Sequence, residues 1–327
     1  MIHPNICPMC ASTRLSLFLM DLKDILYGKD EGVYNLWLCN ECGIIFTFPI
    51  PSDLISIYPP DEYYSFQVKK GGLKSKVKKY IKNPIKLANA IMVKIIVNIE
   101  QLFFHRSEIV IKGGNLLDVG CGYGEFLMRM KKKGMNVYGV DPALRELSYS
   151  KKCDIDIRNT TLDNACFSDN FFDVVTLNHS LEHIQDPINT VKEIAKITKP
   201  GGFIIVQLPN WNCIMQKIFK GKWIHWDIPR HLFHFNFYTL QKFFESYDFQ
   251  VCKKRYLYSG YGFSLSLDSF LNTFRKRKVL LKDSSLPNNI IVRFFGLLLF
   301  GFLLTKIFKN GDVVEIIFHK PSTLSLK

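Results

Sequence analysis

The chain has 327 residues, enough for one large domain or two smaller ones with a substantial core. Its hydrophobic fraction of 47% is that of a folded protein, and nine cysteines, an odd number, exclude a secreted disulfide framework. Basic residues exceed acidic ones by 43 − 29 = +14, and +9 of that falls between Tyr63 and Ile99, where nine lysines from Lys69 to Lys94 meet no acid. So local a basic run argues for a polyanion nearby, a membrane face or a nucleic acid, or for a solvated linker. Met1–Cys10 has no apolar stretch of the signal-peptide kind, so a cytoplasmic location is expected.

The first segment, 1–48, holds two knuckles, Cys7-Pro-Met-Cys10 and Cys39-Asn-Glu-Cys42, separated by β-rich stretches at Leu15–Leu19 and Val33–Leu38. Two Cys-x-x-Cys pairs at this spacing supply four soft ligands, which is what tetrahedral Zn²⁺ requires. With Cys7, Cys10, Cys39 and Cys42 all engaged, no coordination position stays open, so the ion expected is structural. Prolines 49, 51, 59 and 60 then mark an irregular connection. Within 49–110, a basic linker leads into an apolar-rich helix from Pro84, with polar residues near a helical period and a broad apolar face (Ile85, Ile91, Ile95, Ile99). Such a helix packs on the domain or lies in a membrane interface.

From 111 to 208, strands alternate with helices. Strands are expected at Leu116–Val119, Val137–Val140, Ile155–Arg158, Val174–Leu177 and Phe203–Leu208. Asp186-Pro187 is a helix start, with Asp as cap and Pro in the first position, and Lys199-Pro-Gly-Gly202 ends that helix. Alternation of this kind implies an open, largely parallel sheet with helices on both faces and a ligand at the carboxyl ends of the strands. Residues 209–238 read as a loop rich in Trp, His and Pro. A short helix follows at Thr239–Tyr247 with Thr239 as cap, and two more strands at Val251–Tyr258 and Val313–His319. Between them, the insertion 260–311 carries Phe294–Thr305, twelve residues without a charge. That is too short to span a bilayer, which needs about 20 residues.

Asn115–Leu127 organises the rest. Leu116–Val119 is a buried strand, Gly120, Gly122 and Gly124 form a turn, and a helix follows from Glu125 to Lys133. Glycines let the backbone take positive φ and approach a ligand closely. A dinucleotide turn runs G-x-G-x-x-G, whereas here the third glycine comes one residue early and Asp118 precedes the first by two. S-adenosylmethionine has no phosphate. It needs close backbone approach and an acid near its amino group, and both are present. Asp141, ending the next strand, can take two ribose hydroxyls.

Asp118-Val-Gly-Cys-Gly-Tyr-Gly124, Gly139-Val-Asp141, Phe172-Asp-Val-Val175 with Leu181-Glu-His183, and Ile197-Thr-Lys-Pro-Gly-Gly202 resemble the successive motifs of class I S-adenosylmethionine-dependent methyltransferases. The resemblance is closest to the ubiquinone/menaquinone-type small-molecule branch. It implies a Rossmann-like, doubly wound α/β fold: a seven-stranded sheet with its last strand antiparallel, here joined to an N-terminal zinc ribbon and a C-terminal helical insertion. The ribbon, together with Trp226-Asp-Ile-Pro-Arg-His-Leu-Phe-His-Phe235, resembles bacterial methyltransferases of sugar and surface-glycan pathways. That implies a methyltransferase domain over 111–320 and a small-molecule or lipid-linked saccharide acceptor. RNA is the less favoured partner, because the lysine run lacks interleaved aromatics. Peripheral membrane contact through 69–104 and 290–308 is compatible with a lipid-linked acceptor.

For the cofactor, S-adenosylmethionine, the expected contacts are Asp118, Gly120, Gly122, Gly124, Asp141, Leu162 and Asn178. For removal of an acceptor proton, histidine suits neutral pH. His231, in the loop covering the pocket, is the first choice, and His179, at the carboxyl end of the fourth domain strand, the second. Arg230, Trp226 and His234 are expected to face the acceptor, with a salt bridge to Asp227 as the competing role for Arg230 and packing as that for His234.

Overall fold

The computed structural model describes residues 3–51, 53–54, 56–58, 91–92, 95–96, 98–99, 106–143, 155–275 and 289–322. The lysine run and most of the helix expected from Pro84 lie outside these residues.

Eleven described strands form two sheets. In the larger, β4 (Asn115–Val119), β5 (Asn136–Val140), β6 (Asp156–Arg158), β7 (Phe172–Asn178), β8 (Thr198–Pro209), β10 (Gln250–Leu257) and β11 (Val313–His319) lie in the order β10-β11-β8-β7-β4-β5-β6. The five central and β6-side strands are mutually parallel, and β11 runs antiparallel to both β8 and β10. This is the sheet expected from the alternating pattern, with the reversed strand where the late pair of apolar runs puts it.

The order reverses between β4 and β7. The carboxyl ends of these two neighbours open the crevice in which a doubly wound sheet holds its ligand. Helix α1 (Glu125–Lys132) follows β4, and α2 (Pro187–Ile197) follows β7. Asp186 caps α2 through Asn189 N–H, with Pro187 at its first position. Helix α3 (Ile214–Phe219) lies in the segment expected to be loop. Helix α4 (Phe237–Glu245) starts two residues before the expected position. Its cap is Asn236, not Thr239, because the two form a reciprocal box: Thr239 N–H donates to Asn236 Oδ1 and Asn236 N–H donates to Thr239 Oγ1, both 2.9 Å. The described part of the insertion is mostly helical, with α5 (Gly260–Arg275), α6 (Ile290–Gly296) and a π-helical continuation at Leu297–Ile307. No helix among the described residues is long and apolar enough to cross a membrane.

The second sheet has the order β1-β2-β3-β9, all antiparallel: β1 (Leu15–Leu22), β2 (Tyr34–Cys39), β3 (Ile45–Phe48) and β9 (Phe233–His234). The first three belong to the cysteine-bearing segment, and β9 comes from the loop 209–238. Ile45 pairs with His234 and Phe46 with Phe233. The ribbon is therefore not a free module. Trp37, Cys39 and Phe46 share one buried cluster with Val119, Leu177 and Phe235.

Candidate active site

The turn after β4 is built as the glycine spacing requires. Gly120, Gly122 and Gly124 have φ of 75°, 52° and 77°, values that strain any residue with a Cβ. A Cβ on Gly120 would lie 2.6 Å from that of Ser180, and one on Gly124 2.8 Å from Ile157 Cδ1. Gly120 N–H donates to Val140 O at 2.8 Å, tying the turn to β5. Asp141, at the end of β5, accepts from Gly122 N–H (2.9 Å) and Ala143 N–H (3.0 Å). Burial pushes its carboxyl up in pKa, while those two amides oppose the shift. Asp118 accepts from Thr176 Oγ1 and pairs with Arg106, each at 2.6 Å. Cys121 is buried between two of the glycines. Burial, then the charges of Asp118 and Asp141, hold its thiol well above its ordinary pKa, so it is packing, not a nucleophile.

The carboxyl end of β7 contributes Asn178, His179 and Ser180. Among the described residues, Asn178 Oδ1 and Ser180 Oγ are buried without a hydrogen-bond partner. Buried polar atoms are seldom left so unless a ligand, an ion or a water completes them. Three left-handed glycines for close approach, two carboxylates at adjoining strand ends and orphaned polar atoms beside them fit S-adenosylmethionine. Leu162 is buried at the head of a short 3-10 turn after β6.

His179 has φ of 51°, and its N–H donates to Gln207 O at 2.8 Å. Its Nδ1 lies 3.3 Å from Glu182 Oε1, and its Nε2 3.4 Å from Gln207 Nε2. Glu182 is buried at 1% exposure, and neither carboxylate oxygen makes a hydrogen bond among the described residues. Its backbone carbonyl accepts from Leu232 N–H (2.8 Å), which joins the turn after β7 to the histidine-rich loop. Glu182, His183 and His231 bring ligand atoms within 4.8 Å of one another.

His231 is buried. Its Nδ1–H donates to His225 O (2.8 Å), and its Nε2 is 3.8 Å from Asp227 Oδ2. Burial, with help from His183 and His234, holds it well below its ordinary pKa, so it stays neutral. His183 shares Nδ1 between the Tyr58 hydroxyl (2.9 Å) and Arg230 O (3.0 Å).

Arg230 has no N–H left for an acceptor. It is fully buried, and all five of its N–H groups are spent: on Asp24 (2.9 and 3.0 Å), on Asp227 (2.9 and 2.5 Å) and on Ile57 O (3.4 Å). The salt bridge to Asp227 is there, and a second, bidentate one to Asp24 joins it. Burial works against the charge at Asp24, but the guanidinium holds its carboxyl low. Trp226 is buried too, its Nε1–H donating to Lys220 O. His234 is enclosed at the β3–β9 pair with Thr47 Oγ1 at 3.2 Å, and burial, then His183, pulls its pKa down to about 3. Packing describes these two as well. Trp226 and Arg230 do line a cavity of about 180 Å³ between Asp21–Leu26 and Gly221–Arg230.

Cys7, Cys10, Cys39 and Cys42 converge, with all four sulfurs within 4.8 Å of one another and Sγ separations of 3.7 Å (Cys7–Cys42) and 3.6 Å (Cys10–Cys39). A Zn–S bond of ~2.3 Å in a tetrahedron puts sulfurs roughly 3.8 Å apart, so the cluster has the size of a zinc site.

Glu182, Gln207, Asp24, Arg106 and Thr176 were not signalled by spacing. Glu182 lies inside a quoted motif but bears no mark of its burial, and Asp24 is 206 residues from Arg230.

A glycine corner of this geometry on a doubly wound sheet of this order places a nucleoside-type ligand at the carboxyl ends of β4 and β5. Consistently, residues 97–254 match the family model described as Methyltransferase domain. The ubiquinone biosynthesis O-methyltransferase of Vibrio parahaemolyticus is 33% identical over 107 residues, covering 31% of this chain and 46% of the relative. That of Hahella chejuensis is 31% identical over 123 residues, covering 36% and 52%. The chain thus spans about half the length of the curated relatives it matches. A solved S-adenosylmethionine-dependent methyltransferase of Thermotoga maritima superposes with a TM-score of 0.44 at 15% identity, covering 76% of this chain and all of the other.

Proposed function

We propose that the protein transfers the methyl group of S-adenosylmethionine to a hydroxyl of a small-molecule acceptor, most concretely a sugar, nucleotide-sugar or lipid-linked glycan intermediate. The observation that carries the methyl-transfer reading is the turn at Gly120–Gly124 with Asp118 and Asp141 at its flanks, backed by orphaned Asn178 Oδ1 and Ser180 Oγ. Asp118, Asp141, Asn178 and the three glycines hold the cofactor, and Leu162 walls its adenine. Bound there, the cofactor supplies an electrophilic methyl group. The chain aligns the acceptor with it and accepts the acceptor's proton. Positioning of this kind is worth ~7–11 kcal/mol of a barrier.

The saccharide class is supported by the union of ribbon and loop: β9 of the loop pairs with β3 of the ribbon, and a cavity lined by Trp223, Trp226 and Lys222 lies between the loop and the segment that follows β1. The curated relatives favour a second reading, an acceptor of ubiquinone biosynthesis. Zn²⁺ in the four-cysteine cluster holds the ribbon. Peripheral contact with a membrane is supported by the outward face of α6 and its π-helical continuation, where Ile291, Phe294, Phe295, Leu298, Leu299, Ile307 and Phe308 are exposed.

The test is label transfer. The purified protein is incubated with methyl-labelled S-adenosylmethionine and, separately, with nucleotide sugars, lipid-linked glycans, ubiquinone-pathway precursors and RNA. Label in the sugar or glycan fractions supports the first reading, and label in the precursors the second. Label in RNA alone contradicts both.

A further inference from the structure

The outer edge of the helical insertion has its amphipathicity reversed. Along α6 and its π-helical continuation, Arg293, Gly296, Gly301 and Thr305 are buried. The large apolar side chains point the other way: Ile291, Phe294, Phe295, Leu298, Leu299 and Ile307 keep between 47% (Leu299) and 62% (Ile291) of their surface exposed. The glycines make this packing possible. A Cβ on Gly296 would lie 2.5 Å from Phe263 Cδ1, and one on Gly301 3.0 Å from Tyr258 Cδ1, so the helix lies close on its support with its bulk turned outward. A helix packed on a protein core in water buries its apolar stripe. One that buries glycine and exposes phenylalanine has its apolar solvent on the outside, and a contiguous patch of this kind marks an interaction surface.

The charge around this face identifies the partner. Residues 269–311 hold eight basic residues and one acid, and no acid lies between Asp283 and Asp312. Together with the nine lysines of 63–99 they account for the whole of the chain's excess of +14. A second copy of the chain, seated here through a two-fold contact, would set the same basic segment against itself. A nucleic acid would match the charge but leave the leucine and isoleucine side chains without apolar cover. A bilayer with anionic headgroups meets both demands, taking phenylalanine and leucine at the acyl boundary and lysine and arginine at the phosphates. We propose that the outward face of Ile290–Ile307 is a docking surface for a bilayer carrying anionic phospholipid, with the helix lying in the plane of the interface. The proposal rests on the peripheral contact put forward above and deepens it, naming the lipid class and the segment that enters. On its inner side, Val292 and Leu297 pack on the buried cluster that contains Trp223, Trp226 and Ile228 of the histidine-rich loop, and Ile224 N–H donates to Ser266 Oγ of α5 at 3.0 Å. Docking therefore brings that loop to the headgroup layer, where an acceptor with a lipid tail presents its polar end.

The test is flotation of the full chain with vesicles of phosphatidylcholine alone and of phosphatidylcholine mixed with phosphatidylglycerol. The wild type is expected to float with the mixed vesicles, and to lose that binding about fivefold for each basic contact screened as salt is raised. Phe294→Ser/Phe295→Ser removes two side chains already exposed to water, so calorimetric binding of S-adenosylmethionine should stay unchanged while flotation falls tenfold or more, roughly the worth of one buried aromatic side chain. Equal flotation with neutral vesicles, lost in the double variant, overturns the anionic choice and leaves peripheral contact standing. Flotation with neither vesicle overturns both, and a dimer in solution that the double variant dissociates assigns the face to a second copy. Flotation unaltered by the double variant places the membrane contact elsewhere and overturns the proposal as well.

Discussion

At Gly120 a single methyl group is decisive. The residue has φ of 75°, and a Cβ there would sit 2.6 Å from Ser180 Cβ. Alanine in the left-handed region costs ~1–3 kcal/mol before that clash is counted. Gly120→Ala should therefore weaken S-adenosylmethionine binding by about tenfold or more, read by calorimetry, with the far-UV circular dichroism unchanged. His179→Ala should bind the cofactor normally and lose roughly 10²–10⁴-fold in turnover, the usual contribution of a positioned base. The glycine corner was legible in the sequence because a backbone that needs positive φ admits little besides glycine, and acids at strand ends fall at fixed distances from it. Arg230 was not. Its candidacy for the acceptor came from its place in the Pro-Arg-His stretch. What it touches is decided by Asp24, across 206 residues, and no local pattern encodes that pairing. With five donors spent in a buried site, its removal strands two carboxylates. Arg230→Met should cost on the order of 3–5 kcal/mol of stability, measured by denaturant unfolding.

Between elements, the pairing of β3 with β9 is the feature with the widest consequence. The strands of the larger sheet were readable from short apolar runs punctuated by Gly and Pro. The two-residue β9 was not, because Phe233–His234 has no periodicity to display and is a strand only by virtue of its partner. The same applies to α3, six residues inside a segment whose Trp and His content suggested loop. Since the ribbon's strands end on the histidine-rich loop, loss of the metal from the cysteine cluster should be felt in that loop. The protein is expected to carry one zinc per chain by elemental analysis. Cys39→Ser, or chelation, should speed hydrogen exchange at the Phe233 and His234 amides while leaving β4, β7 and β8 protected. Unchanged exchange at β9 in the metal-free protein would show that the ribbon and the loop are held independently.

For the molecule as a whole, the junction of ribbon, loop and sheet is a store of buried titratable groups. His231 and His234 are held neutral by burial, with folded pKa values below the ordinary 6.5. A histidine whose folded pKa is depressed contributes nothing to the pH dependence above that value. Below it, the unfolded chain gains protons that the fold refuses, so stability falls with pH down to the folded pKa, about 3 for His234. Each group then removes up to about 1.4 kcal/mol per pH unit. The melting temperature should drop between pH 7 and pH 5, and His234→Gln should flatten that drop. The opposite slope would mean that a protonated histidine is stabilised in the fold.

The central claim is that the corner at Gly120–Gly124 holds S-adenosylmethionine, and calorimetric titration of the purified protein with that cofactor tests it most directly. The account predicts saturable binding of one equivalent per chain, competed by S-adenosylhomocysteine and weakened in Gly120→Ala. A folded wild-type protein that takes up no S-adenosylmethionine would contradict it.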